Sequence, residues 1–264
     1  MKFQQIRSAT AIITYGDSRF LVDPWLAPKD TFPPIPGSKN PYLRCPIHEL
    51  PLPLSEILAV DAVIATHLHF DHFDDFAMKA IPKDMPIFAQ DEIDAATLQK
   101  NGFGDVRILR YGGSVFNGVT LYKTDCIHGQ PGEIGLMYEK LELPFRKEAC
   151  GVVMRHPNEA KTLYLVGDSV WCDYVSSAIR SYAPSVIIIN AARAAIEGFG
   201  PIIMGLEDIE QILAAAPNAT IIASHMDNVG HATLWRKDIK AYVEKNSLAP
   251  RILIPEDGEV CSFR

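Results

Sequence analysis

At 264 residues, with 48% hydrophobic and 22% charged side chains, the chain is long enough to bury a large core as one substantial domain or two small ones. Its net charge of −7 is built from both signs spread along the sequence, which argues against the basic face that a nucleic-acid partner would want. No apolar run reaches the ~18 residues of a membrane span and the N-terminus has no secretory hydrophobic stretch. The five cysteines are odd in number, scattered and without a C-x-x-C pair, so the sequence reads as a soluble, cytoplasmic protein with reduced thiols.

In chain order, the apolar runs Ala9 to Thr14 and Arg19 to Val22 flank a polar turn and predict a β-hairpin whose second strand ends at Asp23. From Pro24 to Pro53 there are nine prolines in 30 residues, which excludes regular helix or central strand. A loop of that length in a compact domain is expected to act as a lid or a subunit contact, against the alternative of a plain surface excursion. No linker interrupts the sequence, and a single domain over residues 1–264 is expected.

The apolar run Ala62 to Thr66 ends directly in His67-x-His69-x-Asp71-His72. In an extended chain alternate side chains share a face, so His67 and His69 can share one metal ion, while a turn at Asp71 and His72 lets those two face a second. Three histidines around one aspartate serve no packing or capping purpose. Asp74 and Asp75 then suit a helix start. Alternating strands and helices follow: a helix near Asp75 to Ala80, strand Pro86 to Ala89, helix Asp91 to Asn101 and strand Val106 to Leu109.

A hairpin around Asn117-Gly118 leads into His128, and residues 130–147 are irregular. Strands at Gly151 to Arg155 and Thr162 to Val166 come next, the second ending in Gly167-Asp168. Then come helix Asp173 to Tyr182, strand Val186 to Ile189, helix Leu206 to Ala216, strand Thr220 to Ala223 ending near His225, helix Thr233 to Glu244, and strands at Arg251 to Ile254 and up to Phe263. An internal echo pairs Val63-Ile64-Ala65-Thr66-His67 with Ile221-Ile222-Ala223-Ser224-His225, and Phe20-Leu21-Val22-Asp23 with Leu165-Val166-Gly167-Asp168. It predicts two similar halves that bring strand-end ligands to one central site.

The polar residues at strand ends, Asp23, His67, His69, Asp71, His72, His128, Asp168 and His225, occur in the order that characterises the metallo-β-lactamase fold superfamily, and the chain resembles it from residue 23 to 225. That resemblance implies an α/β fold, a four-layer αββα sandwich, with a binuclear site between the sheets. His67, His69 and His128 would hold one ion and Asp71, His72 and His225 the other, with Asp168 as bridge and Asp23 behind the ligands. The segments LVDPW, THLHFDHFD, LVGDS and ASHMD are similar to bacterial metal-dependent hydrolases related to L-ascorbate-6-phosphate lactonase. His69 stands where the flavodiiron branch of the superfamily carries glutamate.

Such a site implies a hydrolase with two divalent ions, Zn or Mn, with Fe also compatible. A metal-bridging hydroxide would attack a small anionic ester, lactone or phosphoester, because the four ionic charges less two aspartates and a hydroxide leave about +1. The alternatives are a phosphodiesterase or nuclease of the same fold, or a non-catalytic metal-binding module. Asp71 is placed to orient the nucleophile or shuttle a proton, His231 to act as general acid, and Asn190 and Arg193 to bind substrate. The expected partner is a small anionic molecule, without nucleic acid or membrane, and a homo-oligomer stays open.

Overall fold

The computed structural model describes residues 1–129, 139–140 and 146–263; of the irregular segment expected over 130–147, residues 130–138 and 141–145 lie outside the described residues. Two seven-stranded mixed sheets form the centre. The first contains β1 (Lys2–Arg7), β2 (Thr10–Tyr15), β3 (Ser18–Val22), β4 (Ala62–Ala65), β5 (Ile87–Ala89), β6 (Val106–Ile108) and β14 (Val260–Ser262), in the order β14-β1-β2-β3-β4-β5-β6. The second contains β7 (Ser114–Phe116), β8 (Val119–Asp125), β9 (Cys150–Arg155), β10 (Leu163–Leu165), β11 (Val186–Asn190), β12 (Thr220–Ser224) and β13 (Ile252–Leu253), in the order β13-β12-β11-β10-β9-β8-β7.

The alternation of side chains along each strand builds the layers. In β4, Ala62 and Ile64 enter a core shared by the two sheets, where Phe20, Val22 and Phe88 meet Val152, Leu165 and Ile188. Val63 and Ala65 point the other way, against Ile57 of α1 (Leu54–Ile57), Ala77 of α2 (Asp75–Ala80) and Leu98 of α3 (Glu92–Lys100). The second sheet behaves alike: Ile187 and Ile189 pack on Val175 and Ile179 of α4 (Asp173–Tyr182), Ile209 and Ile212 of α5 (Leu206–Ala215) and Ile239 of α6 (Arg236–Lys245). Helices on both outer faces of two packed sheets make the αββα sandwich.

The internal echo survives in part. In each sheet an antiparallel section joins a parallel one, β3-β4-β5-β6 in the first and β10-β11-β12-β13 in the second. β3 and β10 hold matching places, so Asp23 and Asp168 leave equivalent strands. β12 takes the place of β5 rather than of β4, because β11 lies between β10 and β12. The likeness of the segments ending in His67 and His225 therefore reflects two buried parallel strands of the same composition, not equivalent positions.

Two differences from the sequence reading have local causes. β1 is an additional strand: its polar Gln4 and Gln5 hide the apolar alternation, yet Gln5 is buried and its amide donates to the Ser8 carbonyl at 2.8 Å. α6 begins at Arg236 rather than Thr233, because the Thr233 and Leu234 amides both donate to the Ala192 carbonyl and Asp238 accepts from the Trp235 amide at 2.9 Å. The proline-rich loop is anchored along its length: Ala27 donates to Asp74, Phe32 and Cys45 exchange backbone hydrogen bonds, Asn40 binds the Gly230 carbonyl and Ile47 the Asn228 carbonyl. Among the described residues no helix is long and apolar enough to cross a membrane.

Gly167 sets the exit of the chain from β10 toward Asp168. Its φ is +75°, and a Cβ there would run into the Cys150 carbonyl. Gly167→Ala should cost about 3 kcal/mol, a fall in Tm of roughly 6 °C or more, read by thermal melting of the metal-free protein; an unchanged Tm would show that the turn can relax.

Candidate metal centre

The parallel strands β3, β4, β10, β11 and β12 end at one edge of the sandwich, and the segments that leave them supply most of the site. His67, His69, Asp71 and His72 follow β4, His128 follows β8, Asp168 follows β10 and His225 follows β12. The ligand atoms of His67, His69 and His128 lie within 4.8 Å of one another, as do those of Asp71, His72 and His225, and those of His67, His72 and Asp168. Asp168 stands between the first two groups: its Oδ2 is 3.2 Å from His72 Nε2, 3.6 Å from His128 Nε2 and 3.9 Å from His67 Nε2, and its Oδ1 is 3.8 Å from His225 Nε2. All seven residues named from the sequence as ligands are thus brought together.

Each imidazole is held by one nitrogen. Thr66 donates its hydroxyl to Asp23 at 2.7 Å, so its oxygen accepts from His67 Nδ1 at 3.1 Å. His72 Nδ1 donates to Asp23 at 2.9 Å and His128 Nδ1 to the Ile202 carbonyl at 2.8 Å, while His225 Nδ1 is 3.3 Å from Ser8 Oγ and His69 Nε2 is 2.5 Å from the Arg146 carbonyl. These outer bonds turn the remaining nitrogens toward the cluster. There His67 Nε2 is buried with no hydrogen-bond partner among the described residues, and His72 Nε2 faces His225 Nε2 at 3.1 Å. Two ring nitrogens so placed oppose lone pair to lone pair unless a proton or a metal ion lies between them, and a buried orphan nitrogen calls for the same. The donor set fits divalent ions.

The electrostatics agree. Burial, reinforced by neighbouring histidines, lowers His67 well below the ordinary imidazole value and His69 to about 4, keeping both neutral. Burial alone would lower His72 too, but Asp168 and Asp23 outweigh it and raise that ring well above its usual value. Burial would raise Asp168, yet His72, His225 and His128 hold it well below the carboxylate range; Asp71 is lowered in the same way by His72, His225 and His231.

The remaining named residues divide. His231 lines the cavity over the cluster, its Nδ1 buried without a partner among the described residues, and burial lowers it to about 4. Asn190 is absent from the described cavity wall; its amide donates to Asp168 Oδ1 at 2.6 Å and so steadies that carboxylate. Arg193 turns to Glu207 at 3.8 Å and is absent from the described cavity wall. Ser8, Thr66 and the carbonyls of Ile202 and Arg146 were not singled out from the sequence. A backbone carbonyl leaves no mark in a sequence, Ser8 lies in no motif, and Thr66 opens THLHFDHFD without a local sign of its hydrogen-bonding part.

The cavity has a volume of about 640 Å³ and opens from the cluster into an apolar lobe. Phe32 and Ile35 of the proline-rich loop, Phe70, Met78, Ile196 and Ile202 form much of that lobe. Trp25 packs behind Phe32 and Phe70 in tilted and edge-on contacts, the three ring centroids lying 5.1 to 6.5 Å apart. The loop therefore covers the metal edge.

The family model for the β-lactamase superfamily domain matches residues 18–226. Among curated proteins, the UPF0173 protein YddR of Bacillus subtilis (strain 168) is 40% identical over 264 residues, the full length of both chains. Two crystal structures superpose over 100% of this chain and 99% of theirs. One is an isothiocyanate hydrolase from Delia radicum gut bacteria, with TM-score 0.93 and 41% identity. The other is a possible metal-dependent hydrolase from Veillonella parvula DSM 2008, with TM-score 0.94 and 40% identity. The chain belongs to the β-lactamase superfamily and, within it, to the UPF0173 proteins. It is a metal-dependent hydrolase of that fold.

The charge state of His72 makes metal uptake depend on pH. Asp168 and Asp23 favour the protonated ring of His72 in the metal-free protein, and an ion must displace that proton. Loading should release protons to the buffer, and apparent metal affinity should fall as the pH falls. Calorimetric titration in buffers of different ionisation enthalpy reads this directly; an affinity independent of pH between about 6 and 8 would mean that His72 is already neutral.

Proposed function

We propose that this chain hydrolyses a small, neutral electrophile with an apolar substituent, of the isothiocyanate class, at a centre holding two divalent ions. One observation carries the reading: the cavity joins the histidine and aspartate cluster to an apolar lobe with no lysine or arginine in its described lining. A neutral molecule with a hydrocarbon tail suits such a wall, since burying apolar surface is favourable at roughly 25 cal/mol per Å². The strong likeness to an isothiocyanate hydrolase supports the same class. The anionic lactone or phosphoester expected from the sequence, including the lactonase relationship, draws less support, because Arg193 pairs with Glu207 away from the cavity and Asp71, Asp74 and Asp75 line it.

His67, His69 and His128 would hold one ion, Asp71, His72 and His225 the other, and Asp168 would touch both. Bound there, the ions supply a water of lowered pKa and a positive field for developing negative charge. The carboxylate of Asp71, kept ionised by its histidine neighbours, accepts a proton from the attacking water and orients it. The imidazole of His231 donates a hydrogen bond to the heteroatom on which charge collects, and the apolar lobe fixes the substituent and keeps bulk water out. Addition of water across the C=N bond of R–N=C=S gives a thiocarbamic acid; cleavage of its C–N bond, with proton transfer to nitrogen, leaves R–NH2 and COS.

Protein loaded with Zn or Mn should bind two ions per chain by elemental analysis. It should convert benzyl isothiocyanate to the amine with kcat/KM about tenfold or more above that for the methyl compound, as filling an apolar pocket would give. Phosphorylated lactones and phosphodiesters should be poor substrates. The reverse ranking would return the anionic reading, and one ion at saturation would end the binuclear one. His231→Ala should lower kcat about a hundredfold with metal content unchanged.

A further inference from the structure

We propose that Arg146 is a positioning residue for the metal centre: clamped by Asp91 and Asp94 at the start of α3, it holds its own backbone carbonyl against His69 and so fixes which nitrogen that ring offers to an ion. The inference rests on the metal-dependent reading of the site and deepens it.

The contact is direct. His69 Nε2 lies 2.5 Å from the Arg146 carbonyl oxygen, which can only accept, so the ring carries its proton on Nε2 and Nδ1 becomes the nitrogen that takes an ion. The other four imidazoles of the cluster are held the opposite way, by Nδ1, with Nε2 turned inward. His69 is thus the one ring of the five whose outer anchor selects Nδ1 as ligand, and a carbonyl displaced from it would release that choice of tautomer.

What keeps the carbonyl in place is the side chain of the same residue. The guanidinium donates from Nη2 to Asp91 Oδ2 at 2.9 Å and from Nη1 to Asp91 Oδ1 at 3.0 Å, a two-point fork, and again from Nη1 to Asp94 Oδ1 at 2.9 Å. Asp91 is itself fixed as the N-cap of α3, accepting from the Ile93 and Asp94 amides at 3.0 Å. Asp94 is buried, and its other oxygen accepts from Gln90 Nε2 at 2.6 Å, while the same amide group donates to the Glu148 carbonyl at 3.0 Å. The backbone on either side of residue 147 is therefore tied to the junction of β5 and α3. A lysine there would keep the charge without the fork.

The test compares wild type with Arg146→Ala, Arg146→Lys and Asp94→Asn. Arg107→Ala serves as a control, because Arg107 makes a similar forked pair with Asp105 on the surface. Each protein is stripped of metal, its melting recorded, and Co(II) titrated against a chromophoric chelator while the visible spectrum of the bound ion is followed. Arg146→Ala and Asp94→Asn should weaken one of the two ions roughly tenfold or more and change its Co(II) spectrum. Arg146→Lys should recover part of the loss and Arg107→Ala should match wild type. Affinity and spectrum unchanged in Arg146→Ala, or losses that merely track a lower metal-free Tm, would overturn the proposal. Should Arg146→Ala not fold, Asp94→Asn and Arg146→Lys decide the matter by the same readouts. Wild type that takes up no Co(II) would defeat the metal reading itself, and this inference with it.

Discussion

The carboxylate of Asp23 organises the interior side of the metal edge. Buried at 1% exposure where β3 ends, it accepts from the Thr66 amide at 2.8 Å, from the Thr66 hydroxyl at 2.7 Å and from His72 Nδ1 at 2.9 Å. Through Thr66 it also sets the oxygen that receives His67 Nδ1. One side chain thereby fixes two imidazoles from opposite ends of the His67 to His72 turn. In a low-dielectric interior each of those polar groups would be costly without its partner, so the network holds together as a unit.

The sandwich makes that network possible by bringing strand ends to one place. Both sheets have a parallel section whose strands end at the same edge, and residues just past those ends need not fill the core between the sheets. They are left for chemistry, as in other sheets whose ligands gather at the carboxyl ends of parallel strands. The proline-rich loop closes the edge from outside. Its Phe32 and Ile35 face the cavity while Asp74, the N-cap of α2, accepts from the Leu26 and Ala27 amides, so the roof and the helix after the ligand turn are tied to one carboxylate. The histidine and aspartate cluster thus opens onto a wall that is largely hydrocarbon.

Much of this was legible in the residues. The spacing His67-x-His69-x-Asp71-His72 after an apolar run marked the candidate ligand turn without help from the fold, because three histidines around one aspartate serve no packing or capping purpose. Asp168, His128 and His225 were pointed to by the superfamily resemblance, through their order in the chain, and the apolar runs marked most strands within a residue or two. Less could be read where a residue's role depends on what lies across space. Asn190 and Arg193 both follow β11 and look alike as polar candidates, yet one donates to Asp168 and the other turns to Glu207.

The sequence by itself determined the strand and helix periodicity, the His67 to His72 turn as a candidate ligand cluster and the length of the proline-rich loop, since these depend on local spacing and residue chemistry. Only the tertiary structure decided which nitrogen each imidazole presents, because that choice belongs to partners such as Ser8, Asp23, Ile202 and Arg146 that lie far away in the chain or act through backbone atoms common to every residue. It also decided that the space over the cluster is largely apolar, as Phe32, Phe70, Ile196 and Ile202 come from three separate segments whose meeting no local pattern encodes.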